Sequence, residues 1–172
     1  ASDVYKRQVS IAGLTAPVEV ARDAVGVPLV QGENRTDVAL VTGFVHAQER
    51  FFQMDLLRRR AAGETAELLG EIAAERDAAI RRHRLRSRAG RALEASSSDI
   101  RNLLEAYARG VNAGLADLED PPFEYAALRT EPNAWTPEDS LLVWLSLFVE
   151  LEDVQGEYET FTSLMDDRLP GP

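Results

Sequence analysis

The feature that most constrains the fold is a long stretch, residues 36 to about 60, whose apolar side chains recur at helical spacing. Thr36 is predicted to be the N-cap, and the Asp37 carboxylate in the first turn faces the positive end of the helix dipole. Two adjoining apolar stripes cover most of the circumference: Leu40, Phe44, Ala47, Phe51 and Met54, and Val38, Val41, Val45, Phe52 and Leu56. Because such a helix has little polar surface, the sequence predicts that it forms the core.

Short strands are predicted before this helix and further helices after it. Within residues 9–30, β-branched runs are broken by turn residues, and the alternation of Val18 with Val20 and of Val25 with Val27 predicts two strands joined by a turn around residues 22–26. Helices are predicted at residues 71–95, from Asp99 with Ser98 as its cap, from Pro137 to about Leu151 with Thr136 as its cap, and at 157–168. No long linker interrupts residues 9–172, which are predicted to form one domain of the α+β class.

The helix from Pro137 to Leu151 is apolar nearly all round. A helix without a polar face has to be covered on both sides, so we expect packing against it from two directions. Its longest apolar run, residues 141–149, is well short of the roughly 20 residues that a membrane span requires. This run therefore indicates a buried helix.

The charge and the composition exclude several classes of function. The net charge of −10 argues against nucleic acid and anionic membranes as partners, because binding to phosphates depends on lysine and arginine. The absence of cysteine excludes thiolate catalysis, disulfides and cysteine-bound zinc. No signal peptide is visible, and residues 1–8, ASDVYKRQ, are interpreted as a non-native or disordered leader.

Polar residues on the core helix are the first candidates for chemistry. Thr42, His46, Glu49 and Gln53 form a stripe that is either a buried hydrogen-bonded face, with His46 and Glu49 paired, or the solvated side of the helix. The solvated side is the commoner case. A zinc site is excluded because a third ligand at suitable spacing is missing.

Two groups of charged residues are interpreted as structural. Asp55 lies three and four residues before Arg58 and Arg59, the spacing of helical ion pairs, and these pairs would anchor the helix to its surroundings. The arginines of residues 81–91 are flanked by acidic residues and lack aromatic neighbours. We therefore expect a solvated, salt-bridged face there rather than a phosphate site.

Several phrases of the sequence resemble those of the penicillin amidase family. The stretch GFVHAQERFFQMDLLRR, residues 43–59, is similar to a signature of that family. Further similar phrases follow the family's order: Arg22-Asp23 before Gly26-Val27-Pro28, YARGVNA at 107–113, PPFEY at 121–125, and Pro132 with Trp135-Thr136-Pro137 and Asp139. Leu29 departs from the family, in which histidine is common at that position.

The resemblance implies a four-layer αββα hydrolase assembled from two chains of one precursor. This chain would be the mostly helical small chain, and its N-terminal strands would complete a sheet of the larger partner chain. The nucleophile would be the N-terminal serine of that partner, so no catalytic residue is expected here. Family members are autoproteolytic, periplasmic or secreted bacterial enzymes, which implies the same localisation.

The resemblance also implies roles for residues near the end of the apolar helix. Leu147, Glu150 and Leu151 match positions that line the acyl pocket, and Glu157 matches a calcium ligand whose companions lie in the large chain. Substrates would be N-acyl amides such as β-lactam side chains or acyl-homoserine lactones. Leu147 and Leu151 would favour aromatic or aliphatic acyl groups over glutaryl, while Glu150 departs from the arginine of some penicillin-processing relatives.

The sequence also allows two alternatives of other functional classes. A non-catalytic helical interaction module would explain the amphipathic helices without an enzyme. A self-sufficient hydrolase is disfavoured, because the chain offers only His46 and His83 as histidine bases and no Gly-x-Ser-x-Gly elbow.

Overall fold

The computed structural model describes residues 7–151 and 157–168, which form a mostly helical α+β chain with one two-stranded sheet. The predicted fold class is confirmed at this level. The elements are β1 (Val18–Arg22), β2 (Pro28–Gly32), α1 (Arg35–Ala62), α2 (Ala66–Leu69), a 3₁₀ turn (Gly70–Ala73), α3 (Ala74–Arg81), α4 (Leu85–Ala95), α5 (Ser98–Ala116), α6 (Phe123–Leu128), α7 (Pro137–Leu151) and α8 (Glu157–Arg168).

The strands form an antiparallel hairpin with Val20 opposite Val30. Its turn is held by Asp23, whose Oδ1 accepts hydrogen bonds from the backbone N–H groups of Val25 and Val27. The predicted turn is therefore confirmed, but the first strand begins only at Val18 and the second only at Pro28. Val25 and Val27, whose alternation predicted the second strand, lie in the turn instead. Residues 9–17, predicted as part of the strand region, form turns and loops, where Gly13 adopts a positive φ of 95° that a regular strand does not allow.

The N-terminus of α1 differs from the prediction. Asn34, not Thr36, is the N-cap, and its side chain accepts the N–H of Asp37 at 2.8 Å. The buried Asp37 carboxylate accepts the Thr15 hydroxyl at 2.7 Å, the Ala16 N–H at 2.9 Å and the Asn34 amide at 2.7 Å. The hydrogen bond from Thr15 is the main cause that lowers the pKa of Asp37 to about 2. Asp37 thus ties the preceding loop to the helix.

Helices α1 and α5 touch through their backbones. A Cβ atom built on Gly110 would lie 1.8 Å from the Leu40 carbonyl oxygen, and one built on Gly43 would lie 2.2 Å from that of Tyr107. Gly114 repeats the contact one turn further along α5. Because any larger residue would push the helices apart, glycine at these positions determines the crossing.

The helical region between α1 and α5 is divided into more elements than predicted. Residues 71–95 are not one helix but a 3₁₀ turn, α3 and α4, and the break lies at Arg84, whose φ is 52°. Helix α5 is capped by Ser97 rather than Ser98, since the Ser97 hydroxyl accepts the Ile100 N–H. Helix α6 follows the Pro121-Pro122 pair, in a region for which the sequence analysis names no helix.

Helix α1 is bent at Arg50, where the backbone leaves the helical region. Before the bend, Leu40, Val41 and Val45 pack against α5 through Ala106. After it, Ala61 packs against α4 and α7 in a second core cluster. The bend therefore lets one helix serve both parts of the core.

Candidate functional site

The first turn of α7 is fixed by a buried ion-pair network that begins on α1. Arg58 is 5% exposed and donates from Nε to Asp55 at 2.7 Å and from Nη1 to Asp139 at 2.7 Å. It also donates to the carbonyl oxygens of Asn133 and Ala134 in the loop before α7, at 2.7 and 2.8 Å. The Arg58 guanidinium thus connects α1 to α7 and to the loop that precedes α7.

Asp139 acts as cap and counterion together. Its Oδ2 accepts the backbone N–H of Thr136 at 2.8 Å, which is the reach-back bond of the predicted capping arrangement, and it also accepts the Thr136 hydroxyl at 3.0 Å. Burial alone would raise the pKa of Asp139, but the charge of Arg58 and the hydrogen bonds from Thr136 and Arg86 lower it overall. Asp139 is therefore held as a carboxylate, which keeps α7 docked on α1.

The predicted ion pairs of Asp55 with Arg58 and Arg59 are confirmed, and all three residues are buried. Asp55 also accepts the Tyr125 hydroxyl at 2.7 Å, and burial is the main cause that raises the pKa of Tyr125. For Arg59 burial alone would lower the pKa, but Asp55 and Glu67 raise it overall. These contacts stabilise the packing of α1 and α6.

One side of α7 is covered and the other is open. Leu142 is fully buried against Ala61, Leu85 and Ala89. The open side, which we call the uncovered face, carries large apolar residues that the rest of the described chain leaves exposed: Trp144 at 57%, Leu147 at 48%, Phe148 at 49% and Leu151 at 85%. Among the described residues, the predicted cover on both sides is thus present on one side only.

The structure divides the predicted acyl-pocket residues between two places. Leu147 and Leu151 belong to the uncovered face. Glu150 instead lines, with Ser146, a cavity of about 270 Å³ between α7, the end of α1, and α3. There its Oε1 lies 3.7 Å from Nη2 of Arg60. The roles assigned to these three residues stay predictions.

Glu157, the predicted calcium ligand, is the first residue of α8, and its side chain lies outside the described residues. Within residues 7–151 and 157–168, no group of three or more histidine or acidic side chains is arranged to hold a metal ion. The calcium prediction therefore stays a prediction.

The polar stripe on α1 is neither a buried face with His46 and Glu49 paired nor simply the solvated side of the helix. Nδ1 of the half-buried His46 lies 2.9 Å from the hydroxyl of Tyr107, whereas Glu49 pairs with Arg22. Burial, with the charge of Arg50, lowers the pKa of His46, and burial raises that of Tyr107 to about 12. The pair connects α1 to α5 and is neutral near pH 7.

The arginines of residues 81–91 mostly lie on an exposed surface, as predicted. Arg86 pairs with Glu64, its Nε donating at 2.7 Å, and reaches Asp139 at 3.2 Å. Sequence reasoning missed this link, and it missed Arg60 beside Glu150. The acid three residues after the Thr136 cap was the available signal for Asp139, but it indicated only the cap and not its arginine partners.

The sequence matches the family model of penicillin amidase over residues 17–170. The chain belongs to the penicillin amidase family. The predicted recognition is therefore confirmed, and the match covers both strands and every described helix from α1 to α8.

Relatives within the family are acylases. The chain is 44% identical over 135 residues to the penicillin acylase 2 proenzyme of Pseudomonas sp. strain SE83, covering 78% of this chain and 17% of that protein. It is 37% identical over 163 residues to the acyl-homoserine lactone acylase QuiP of Pseudomonas fluorescens strain Pf-5, covering 92% of this chain and 20% of that protein. The chain thus spans about a fifth of the length of these relatives.

A solved structure of the family shares the fold. The thermostable penicillin G acylase from Alcaligenes faecalis superposes with a TM-score of 0.73 at 29% identity, covering 91% of this chain and 87% of that chain. The penicillin amidase fold of the chain is therefore established by sequence and by structure. None of the helices in the described ranges is both long and apolar enough to cross a membrane.

Proposed function

We propose that this chain is the smaller of the two chains of an N-acyl amide hydrolase of the penicillin amidase family. The observation that carries the proposal is its 44% identity to a penicillin acylase proenzyme over 135 residues. Since the chain spans only 17% of that relative, most of the enzyme would lie in a larger partner from the same precursor.

The uncovered face of α7 supports a partner chain. Its exposed tryptophan, phenylalanine and leucines form a contiguous apolar surface of the kind that soluble proteins use for contacts. The partner would cover this face and pair with the β1–β2 hairpin, completing the four-layer αββα arrangement. The end of α7 would then lie beside the partner's active site.

In the proposed reaction the partner supplies the chemistry. The free α-amine of its N-terminal serine would act as general base, the serine hydroxyl would attack the amide carbonyl, and an oxyanion hole would stabilise the tetrahedral intermediate. The chain described here would shape the acyl pocket through Leu147, Glu150 and Leu151. Its contribution is specificity rather than bond breaking.

The acyl group would be aromatic or aliphatic. Leu147 and Leu151 are 48% and 85% exposed, so both are available to a substrate or to the partner. Two substrate classes have support. The 44% identity to a penicillin acylase proenzyme supports β-lactam side-chain amides, and the 37% identity to QuiP over 92% of the chain supports the acyl amides of homoserine lactones. A panel of phenylacetyl, hexanoyl, decanoyl and glutaryl amides separates them, and fastest cleavage of the glutaryl amide would rule out the apolar preference.

Intact-mass analysis of the protein produced from its full-length gene tests the proposal first. We expect a second, larger polypeptide that begins with serine and co-purifies with this chain. A single folded species of the mass of this chain alone, with no hydrolysis of any amide, would overturn the proposal and favour a helical interaction module.

A charge on the uncovered face tests the role of α7. Leu147→Glu should prevent co-purification of the two chains or abolish activity, because a carboxylate would be buried without a counterion. Ile72→Glu is the matched control, since Ile72 is 89% exposed and lies outside α7. Equal behaviour of the two variants would contradict a contact through this face.

A shared calcium ion is the remaining part of the proposal. Glu157 would supply one carboxylate and the partner the other oxygen ligands, because calcium takes six to eight of them. Its function would be structural. A periplasmic or secreted location would match the bacterial members of the family, and cell fractionation of the source organism tests it.

A further inference from the structure

The cavity beside Glu150 is lined by two unlike kinds of side chain. Leu57, Ala61 and Ile80 are apolar, whereas Arg60 and Arg76 are cationic. Its volume of about 270 Å³ is slightly below the roughly 300 Å³ at which the usual range for small-molecule sites begins, so it suits a small ligand. A lining of this kind matches a ligand with an apolar body and one anionic end.

The guanidinium groups of Arg60 and Arg76 have N–H donors without a hydrogen-bond partner in the described part of the chain. Arg76 makes no hydrogen bond or ion pair within the described part of the chain. Arg60 has one ion-pair partner there, Glu150 at 3.7 Å, a distance too long for a hydrogen bond. Both side chains therefore keep the planar N–H groups with which arginine binds carboxylates.

We propose that this cavity binds small monocarboxylates with a short aliphatic or aromatic body. The carboxylate would lie between Arg60 and Arg76, and the body would contact Leu57 and Ile80. The Glu150 carboxylate opposes this binding by competing for Arg60. Neither Leu147 nor Leu151 lines this cavity, and Glu150 is the residue that it shares with the predicted acyl pocket. The proposal does not depend on the hydrolytic activity.

The test is isothermal titration calorimetry of the protein produced from its full-length gene, with hexanoate as the ligand and hexanol as its uncharged counterpart. Arg76→Gln should weaken hexanoate binding about 3- to 10-fold, because it removes one charged donor from a partly exposed site. Glu150→Gln should strengthen it about 2- to 5-fold, because it releases Arg60. Hexanol should bind more weakly than hexanoate to the unmodified protein.

Arg82→Gln is the matched control, because Arg82 follows α3 and does not line the cavity. It should leave the affinity for hexanoate unchanged. A second variant, Ala79→Phe, should reduce binding by filling the cavity from its exposed rim. Equal effects of Arg76→Gln and Arg82→Gln, or weaker binding by Glu150→Gln, would overturn the proposal.

Hexanoate could also occupy the acyl pocket of an active hydrolase, and kinetics separates the two sites. Competitive inhibition by hexanoate reports the acyl pocket and should be the same in Arg76→Gln as in the unmodified protein. A loss of calorimetric binding in that variant with unchanged inhibition supports a separate site. If Arg76→Gln weakens inhibition and total binding alike, one pocket explains both and the separate site is wrong. Absence of any hydrolysis would refute the proposed function but not this binding.

Discussion

Replacing Gly110 by alanine tests whether the backbone contact between α1 and α5 determines the fold. The new Cβ would lie 1.8 Å from the carbonyl oxygen of Leu40, whereas ordinary contacts begin at 3.4 Å. The obstacle is backbone, so a rotamer change cannot relieve it. The two helices would have to move apart by more than an ångström.

The expected cost follows from two opposing effects. Alanine is favoured over glycine within a helix by about 1 kcal/mol. Overpacking costs about 1–3 kcal/mol, and the upper end applies where backbone is the obstacle. Separating the helices also loosens the packing of Leu40 and Ala106, so we expect Gly110→Ala to lower the free energy of unfolding by about 2 kcal/mol.

Gly90→Ala is the matched control in the same chain. Gly90 lies within α4, and a Cβ there would meet nothing within 4 Å, so alanine should stabilise the protein by about 0.5–1 kcal/mol. The assay is urea unfolding of the protein from its full-length gene, followed by circular dichroism. A Gly110→Ala midpoint equal to or above that of Gly90→Ala would refute the argument from backbone contact.

Three further predictions concern charge. Arg58→Gln should lower stability by about 3–5 kcal/mol because it leaves buried carboxylates without their partner, whereas Arg91→Gln, on the surface, should change the urea midpoint by about 0.5 kcal/mol or less. The lowered pKa of Asp37 means that its contribution to stability is present above about pH 4 and is lost as the pH falls towards about 2; Thr15→Ala should weaken it, as acid-unfolding curves of the two proteins would show. Glu157→Gln should reduce the calcium that co-purifies with the proposed enzyme, measured by elemental analysis, and an unchanged calcium content would exclude Glu157 as a ligand.

Local chemistry made much of the fold predictable from the sequence. The hairpin turn follows from Asp23 and Gly26 after the alternating Val18 and Val20. The start of α7 follows from Thr136, Pro137 and Asp139, whose capping contacts are between neighbours along the chain. The predicted helix boundaries were wrong where two possible capping residues lie within a few positions of each other. Asn34 and Thr36 are both good caps, and the loop contact between Asp37 and Thr15 decides between them.

Long-range geometry was not predictable in the same way. That Glu150 turns towards Arg60 while Leu147 faces outward depends on where α3 and α4 place their side chains, and the break between those helices at Arg84 was not visible in the helical pattern. The same holds for Asp139, whose sequence signal is local while its partner Arg58 lies far away along the chain. Charge pairs of this kind need the tertiary structure to be known.

The attachment of α7 through Arg58 has a consequence for assembly. The first turn of the helix is held by contacts within this chain, so its orientation does not depend on the rest of the proposed precursor. The conformational entropy of ordering that helix is then offset by Arg58 and its partners rather than by the contact with the larger chain. The uncovered face would therefore be presented to the larger chain in a fixed direction before the precursor is cut.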